Sequence, residues 1–229
     1  MRARILILSA ALVGALFPLN AQAVTQVRST PAPFINFYKA PLGAFAQKAT
    51  GPNSFSLDKQ SQININFNSV PDEFKPAIQA AVDVWSQNFK SQVPINIDTL
   101  WERQNNPSVL AAASPGRFFN GFVGAPDSNL WYASAMANAL AGKDLDPSSA
   151  EVTIRINSVN SALLYLGTDG NCPSNKFDLE SIVLHELGHG LGFLSNSEYD
   201  KNFRIGNIQR PTPYDAYAQL PDGRRLMDI

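Results

Sequence analysis

The chain has 229 residues, 18 basic and 19 acidic side chains, two histidines and a single cysteine. A formal net charge of −1 offers no basic surface of the kind that nucleic-acid-binding domains carry, so we expect no nucleic-acid partner. Cys172 has no second cysteine in the chain, which excludes an internal disulfide, and it is expected to be a structural thiol or to pair outside this chain.

The first 23 residues predict a secretory signal peptide. Arg2 and Arg4 form a short basic start, residues 5–19 are an apolar run, and the small residues of "AQA" at 21–23 form the cleavage site. The apolar run is too short for a stable membrane span, so we expect cleavage near Ala23 and a secreted or periplasmic protein. The remaining 206 residues, with a net charge of −3, suffice for one domain. The abrupt end at "RRLMDI" indicates a fragment of a longer protein.

The next elements predict an arm followed by a strand, a helix and a second strand. Residues 24–60 are rich in Pro, Ala, Ser and Gly, which predicts an extended, propeptide-like arm rather than a packed element. Apolar residues alternate in "SQININFNS" (61–69) and in "VPINIDTLW" (93–101), as in half-buried strands. Between them, apolar residues at helical spacing predict a helix over about 73–90. This order matches a βαβ crossover.

The second half of the chain predicts two more strands and a second long helix. The strands fall at 116–124 and 151–158. Residues 130–139 fit either a helix, because they are rich in alanine, or an edge strand, because they alternate. Asp178 is predicted to cap a helix over about 179–190. No domain boundary is visible within 61–229, so these residues predict one α+β domain with a twisted mixed sheet, a backing helix and this second helix.

The second helix contains "HELGHGLGF" at 185–193, the most informative stretch of the sequence. His185 and His189 lie four residues apart, so both imidazoles can reach one ion from the same helix face. Glu186 points to the side where a metal-bound water would lie. Zn²⁺ lowers the pKa of such a water to about 7, and a nearby carboxylate can take its proton during attack on a carbonyl. We therefore predict that His185 and His189 hold Zn²⁺ and that Glu186 is the catalytic general base.

The glycines of this stretch predict its surroundings. Gly188, Gly190 and Gly192 each weaken a helix by about 1 kcal/mol relative to alanine. Such a run indicates a close approach of two backbones and a helix end near Gly190 to Gly192. A helix with two histidines could also be an ordinary polar patch, but buried polar side chains without partners are costly, which favours the metal site.

The pattern H-E-x-x-H-x-x-G resembles the metzincin clan of zinc endopeptidases, and "HGLGF" is similar to its leishmanolysin-type branch. Motif and surroundings also resemble secreted bacterial peptidases in which "HELGHGLGF" precedes a "YD" segment. The resemblance implies a zincin-like fold over 61–229 and a secreted zinc-dependent endopeptidase that hydrolyses a polypeptide substrate. The substrate is expected to lie as an added strand against residues 130–139 or 151–158.

The sequence departs from the clan at the third metal ligand. The third histidine of the metzincins falls at Ser195, and a serine hydroxyl is a poor zinc ligand. Three completions are open: an acidic residue, a ligand beyond residue 229, or a degenerate site. Asp215 is expected ahead of Asp200 and Glu198, because a turn-rich loop precedes it and Met227 follows it as the clan's methionine turn would. The alternative function is a catalytically inactive secreted binding module that retains a relic zinc site.

Overall fold

The structure is a computed structural model that describes residues 27–39, 60–200, 202 and 205–228. The predicted signal peptide, residues 1–23, lies outside this part of the chain. Within it, no helix is long and apolar enough to cross a membrane. The described residues form a mixed α+β fold with a five-stranded sheet and few helices.

The elements have the following bounds. The strands are β1 (Arg28–Pro31), β2 (Ile35–Tyr38), β3 (Ile63–Asn68), β4 (Ile95–Glu102), β5 (Val109–Pro115), β6 (Arg117–Asn120), β7 (Tyr132–Ala133), β8 (Val152–Asn157), β9 (Leu164–Tyr165), β10 (Phe177–Asp178), β11 (Ser197–Asp200) and β12 (Ile205–Ile208). The α-helices are α1 (Lys75–Asn88), α2 (Ser134–Ala141), α3 (Leu179–Gly190) and α4 (Pro213–Tyr217). Short 3-10 helices cover Asp72–Phe74, Ser158–Leu163 and Leu226–Asp228.

The main sheet has the strand order β2-β5-β8-β4-β3. Strands β3, β4 and β8 are parallel, whereas β5 runs antiparallel to β8 and β2 runs antiparallel to β5. The predicted βαβ crossover is confirmed, because α1 joins β3 to β4 and Ile63 lies opposite Ile95. Helices α1 and α3 pack against each other and against the sheet. The alternating apolar residues of β4 and β8 are therefore almost fully buried.

Three expectations about the strands need correction. Strand β5, buried along its whole length, was not predicted, since "VLAAASP" shows no alternation. Residues 151–158 do form a strand, β8, but it lies in the middle of the sheet between β5 and β4, so it cannot be the substrate-binding edge. Residues 130–139 resolve into the two-residue strand β7 followed by helix α2, which leaves no extended edge there either.

Part of the predicted arm is packed. Within residues 27–39, β1 pairs with β6 and β2 pairs with β5. The expectation of an unpacked segment is therefore wrong for these residues, because two four-residue strands are too short to show against the proline- and alanine-rich background. Phe37, on β2, is half-buried and packs against the main core.

Candidate metal centre

Helix α3 is held tightly between α1 and the sheet. Leu179, Val183 and Leu187 are fully buried on its inner face. On the α1 side, the indole Nε1–H of Trp85 donates a hydrogen bond of 2.9 Å to the carbonyl of Leu184. These contacts fix the rotation of the helix and so determine which way its polar residues point.

The glycines of α3 have distinct roles. A Cβ atom on Gly190 would overlap the side chain of Val152 on β8, so the predicted close approach is present at this position. A Cβ atom on Gly188 would meet only the Trp85 ring, at an ordinary 3.5 Å. The helix ends at Gly190, as predicted, and Gly192 has a φ of +116°, a conformation that L-residues with side chains rarely adopt.

The two histidines meet as the spacing predicts. Their Nε2 atoms are 2.9 Å apart. Two nitrogens bound to one tetrahedral zinc, each about 2.05 Å from the metal, are about 3.3 Å apart, so the pair is close to the required separation. The same distance also allows an ordinary hydrogen bond from His185 Nε2–H to His189 Nε2 when no metal is bound.

The turn at Gly192 sets the chemical form of His189. It brings the carbonyl oxygen of Phe193 to 2.9 Å from His189 Nδ1. A carbonyl can only accept, so Nδ1 carries the proton and Nε2 presents its lone pair towards His185. Metal-binding histidines are oriented in this way by a second hydrogen bond. Burial, and then His189, lower the pKa of His185, which favours the neutral imidazole that a metal needs.

Glu186 is fully buried next to this pair. Neither carboxylate oxygen makes a hydrogen bond within the described residues. Burial raises the pKa of Glu186 to about 8, and the backbone amide of Ala113 opposes this rise only in part. On a helix, residue 186 lies about 60° around the axis from His189. A buried carboxyl without a partner is costly and calls for an explanation, and a bound ion with its water would supply one. The two histidines therefore fit as two ligands of a Zn²⁺ ion, with Glu186 beside them as a group that is not a ligand.

Asp215, the expected third ligand, serves another purpose. It is fully buried, and its carboxylate accepts hydrogen bonds from the Ser195 hydroxyl, the Asn196 backbone amide, and both the backbone amide and hydroxyl of Thr212. With Thr212 it forms a capping box at the start of α4. Among the described residues, Asp215 forms no metal-binding group of three with the histidine pair, and its carboxylate is engaged as the cap of α4.

The other acids and Met227 lie elsewhere as well. Glu198 and Asp200 are exposed on β11. Among the described residues, no group of three or more His, Cys, Asp or Glu side chains could hold a metal ion. Met227 is 41% exposed in the last 3-10 helix. Cys172 is a half-buried free thiol whose pKa burial raises, which agrees with a structural role.

Sequence reasoning missed the part that the arm plays at this centre. The ring of Phe37, on β2, makes an edge-on contact with the ring of His185 at a centroid distance of 4.8 Å. The short alternation of Ile35 and Phe37 was the only sign of a strand in this segment.

Comparisons with protein-family models, with curated protein sequences and with solved structures find no match.

Proposed function

We propose that this protein is a secreted or periplasmic zinc-dependent endopeptidase with a metzincin-type, zincin-like catalytic domain. The observation that carries the proposal is the juxtaposition of two imidazoles, with their Nε2 atoms 2.9 Å apart, and a buried carboxyl whose oxygens reach no hydrogen-bonding geometry with any group in the described part of the chain. Helix α3 supplies all three groups, and α1 and the mixed sheet hold that helix in place.

Each residue has a defined role in peptide hydrolysis. His185 and His189 would hold Zn²⁺ through Nε2, and the Phe193 carbonyl keeps His189 in the required tautomer. When bound, Zn²⁺ acts as a Lewis acid towards the scissile carbonyl and the attacking water. Glu186 takes a proton from the water and later delivers it to the leaving amine.

A second candidate function is a binding module that retains a relic zinc site. The observation in its favour is that no described acidic residue joins the two histidines, while catalytic zinc sites usually have three protein ligands. The Asp215 carboxylate already accepts hydrogen bonds from Ser195, Asn196 and Thr212.

The experiment combines metal analysis with peptide hydrolysis by residues 24–229 expressed with zinc. We expect about one equivalent of zinc in the wild type and none in His185→Ala or His189→Ala. Glu186→Gln should keep the zinc and lose about 10²- to 10⁴-fold in turnover of a quenched-fluorescent peptide library. Glu73→Gln is the matched control, because it makes the same acid-to-amide change at an exposed site, and it should keep both properties.

The outcomes separate the two candidates. A wild type that contains no zinc contradicts both the enzyme and the relic site. A wild type that binds zinc but hydrolyses no peptide favours the binding module. Near-normal turnover by Glu186→Gln would contradict the assigned role of Glu186.

A further inference from the structure

Strand β2, from the N-terminal arm, forms one edge of the main sheet. Extended peptides bind proteases and other partners by adding a strand to an open sheet edge. Strand β5 packs against α3, the helix that carries the histidine pair. Its neighbours are β8 on one side and β2 on the other. Without β2, therefore, β5 would be an open edge directly beside the centre.

Strand β2 occupies that edge in the manner of a peptide. It runs antiparallel to β5, with Ile35 opposite Ala113 and Phe37 opposite Ala111. The pairing continues beyond the strand, since the amide of Lys39 donates to the carbonyl of Ser108 at 2.8 Å. Ala113 is also the residue whose backbone amide lies beside the Glu186 carboxyl. Strand β2 thus lies beside the histidine pair, with the Phe37 ring against the His185 ring.

The rest of the arm extends this coverage. Strand β1 pairs with β6, and the Arg210 guanidinium donates to the Thr30 hydroxyl at 3.2 Å. Pro31 and Pro33 line a cavity of about 310 Å³ together with Ser195, in the loop after α3. Residues 28–38 therefore lie across the space between the sheet and the segment that follows α3.

We propose that residues 28–38 form an intramolecular pseudosubstrate that keeps the peptidase latent by occupying the β5 edge. The inference rests on the proposed function. The segment "RSTPAPFINFY" contains no His, Cys, Asp or Glu, so it blocks by strand pairing and by the contact of Phe37 with His185, without supplying a metal ligand. A tethered strand competes at a high effective concentration, so a substrate peptide must displace it before binding.

The test weakens the pairing of β2 with β5 by removing one side chain of β2. Phe37→Ala removes the ring that contacts His185, and Tyr38→Ala, whose ring is 56% exposed on the same strand, is the matched control. Hydrogen exchange of residues 109–115 reports strand pairing without reference to activity. We expect faster exchange there in Phe37→Ala than in Tyr38→Ala, with the zinc content unchanged in both. Asn36→Pro, an exposed position on the same strand, should give the same increase by breaking the ladder.

Turnover is measured on the same samples at low peptide concentration. We expect Phe37→Ala to exceed Tyr38→Ala by about tenfold, since an aromatic contact of this kind is worth about one factor of ten in an equilibrium constant. If the wild type is active and exchange is faster in Phe37→Ala and Asn36→Pro, but turnover does not rise, the proposed pseudosubstrate role is refuted. The proposed function is unaffected by that result. Unchanged exchange in both variants overturns the inference as well. Faster exchange with no hydrolysis by any variant, wild type included, overturns both proposals.

Discussion

The contact between Gly190 and Val152 gives a stability prediction with a built-in control. Both glycines of α3 lie in the helix, but only Gly190 faces the sheet. A methyl group there would overlap a side chain that is fully buried, β-branched and therefore stiff. A methyl group on Gly188 would make an ordinary contact of 3.5 Å with Trp85. The two Gly→Ala changes should therefore have opposite effects on the free energy of unfolding.

The magnitudes follow from two opposing effects. Alanine favours the helix over glycine by about 1 kcal/mol at either position. Overpacking costs about 1–3 kcal/mol in general, and the severe overlap with Val152 places Gly190 in the upper part of that range, at about 2–3 kcal/mol. We expect Gly188→Ala to raise the free energy of unfolding by about 0.5–1 kcal/mol and Gly190→Ala to lower it by about 1–2 kcal/mol. Val152→Ala makes room for the new methyl group, so combining it with Gly190→Ala should show a favourable coupling of about 1 kcal/mol or more.

Urea denaturation of the mature protein, read as midpoints at constant m-value, provides the assay. The cycle of Gly190→Ala with Val152→Ala is compared with the cycle of Gly188→Ala with Val152→Ala, in which the two changes share no contact and should add within about 0.5 kcal/mol. If Gly190→Ala is as stable as the wild type, or if its cycle shows no coupling, the close approach of α3 to β8 is not what requires glycine.

Three further changes test other parts of the structure. Asp215→Ala should lower the free energy of unfolding by about 3 kcal/mol, because it removes the cap of α4 and leaves Thr212 without its partner. The zinc content should not change. Loss of zinc in a folded variant would show that Asp215 is a ligand. Burial raises the pKa of both Glu151 and Glu186, so the folded state holds both protons more tightly and stability should fall as the pH rises above 4.5. Glu151→Gln should remove the Glu151 contribution to this fall and leave that of Glu186, and an unchanged slope in urea titrations would refute the assignment. Gly192→Ala should cost about 1–3 kcal/mol in the same urea assay, because φ at this position is +116°; a cost near zero would show that the turn does not need glycine.

Much of the fold follows from local patterns in the sequence. Strand β3, helix α1 and strand β4 were predicted because their apolar periodicity matches their burial, and α3 was predicted with its observed ends. Strand β5 was missed because a strand buried on both faces is uniformly apolar and small, and such a run has no period. The position of β8 in the middle of the sheet depends on which strands pair, and that information is not local.

In the candidate site too, local features could be predicted from the sequence and contacts between distant elements could not. The meeting of His185 and His189 follows from helix geometry alone, so the sequence predicts it. The Phe193 carbonyl that orients His189 is reached only through the turn at Gly192. The contact of Phe37 with His185 joins residues almost 150 positions apart and depends on how the arm is packed. Periodicity and spacing do not predict which residues of other elements contact the two histidines.

The hydrogen bond of Ser195 has a physical consequence for any metal bound here. In the metzincin clan that we propose for this chain, a histidine at this position ties the chain after the active-site helix to the metal. Here the Ser195 hydroxyl donates to Asp215, so the loop after α3 is anchored to the capping box of α4 by hydrogen bonds. The loop therefore needs no metal to hold its shape, and the fold around the histidine pair should survive chelation. A two-imidazole site should also release zinc more readily than a three-ligand site, so a chelator should remove the metal, and with it hydrolysis, without unfolding the domain. Unfolding that accompanies metal loss would show that a further ligand ties this loop to the ion.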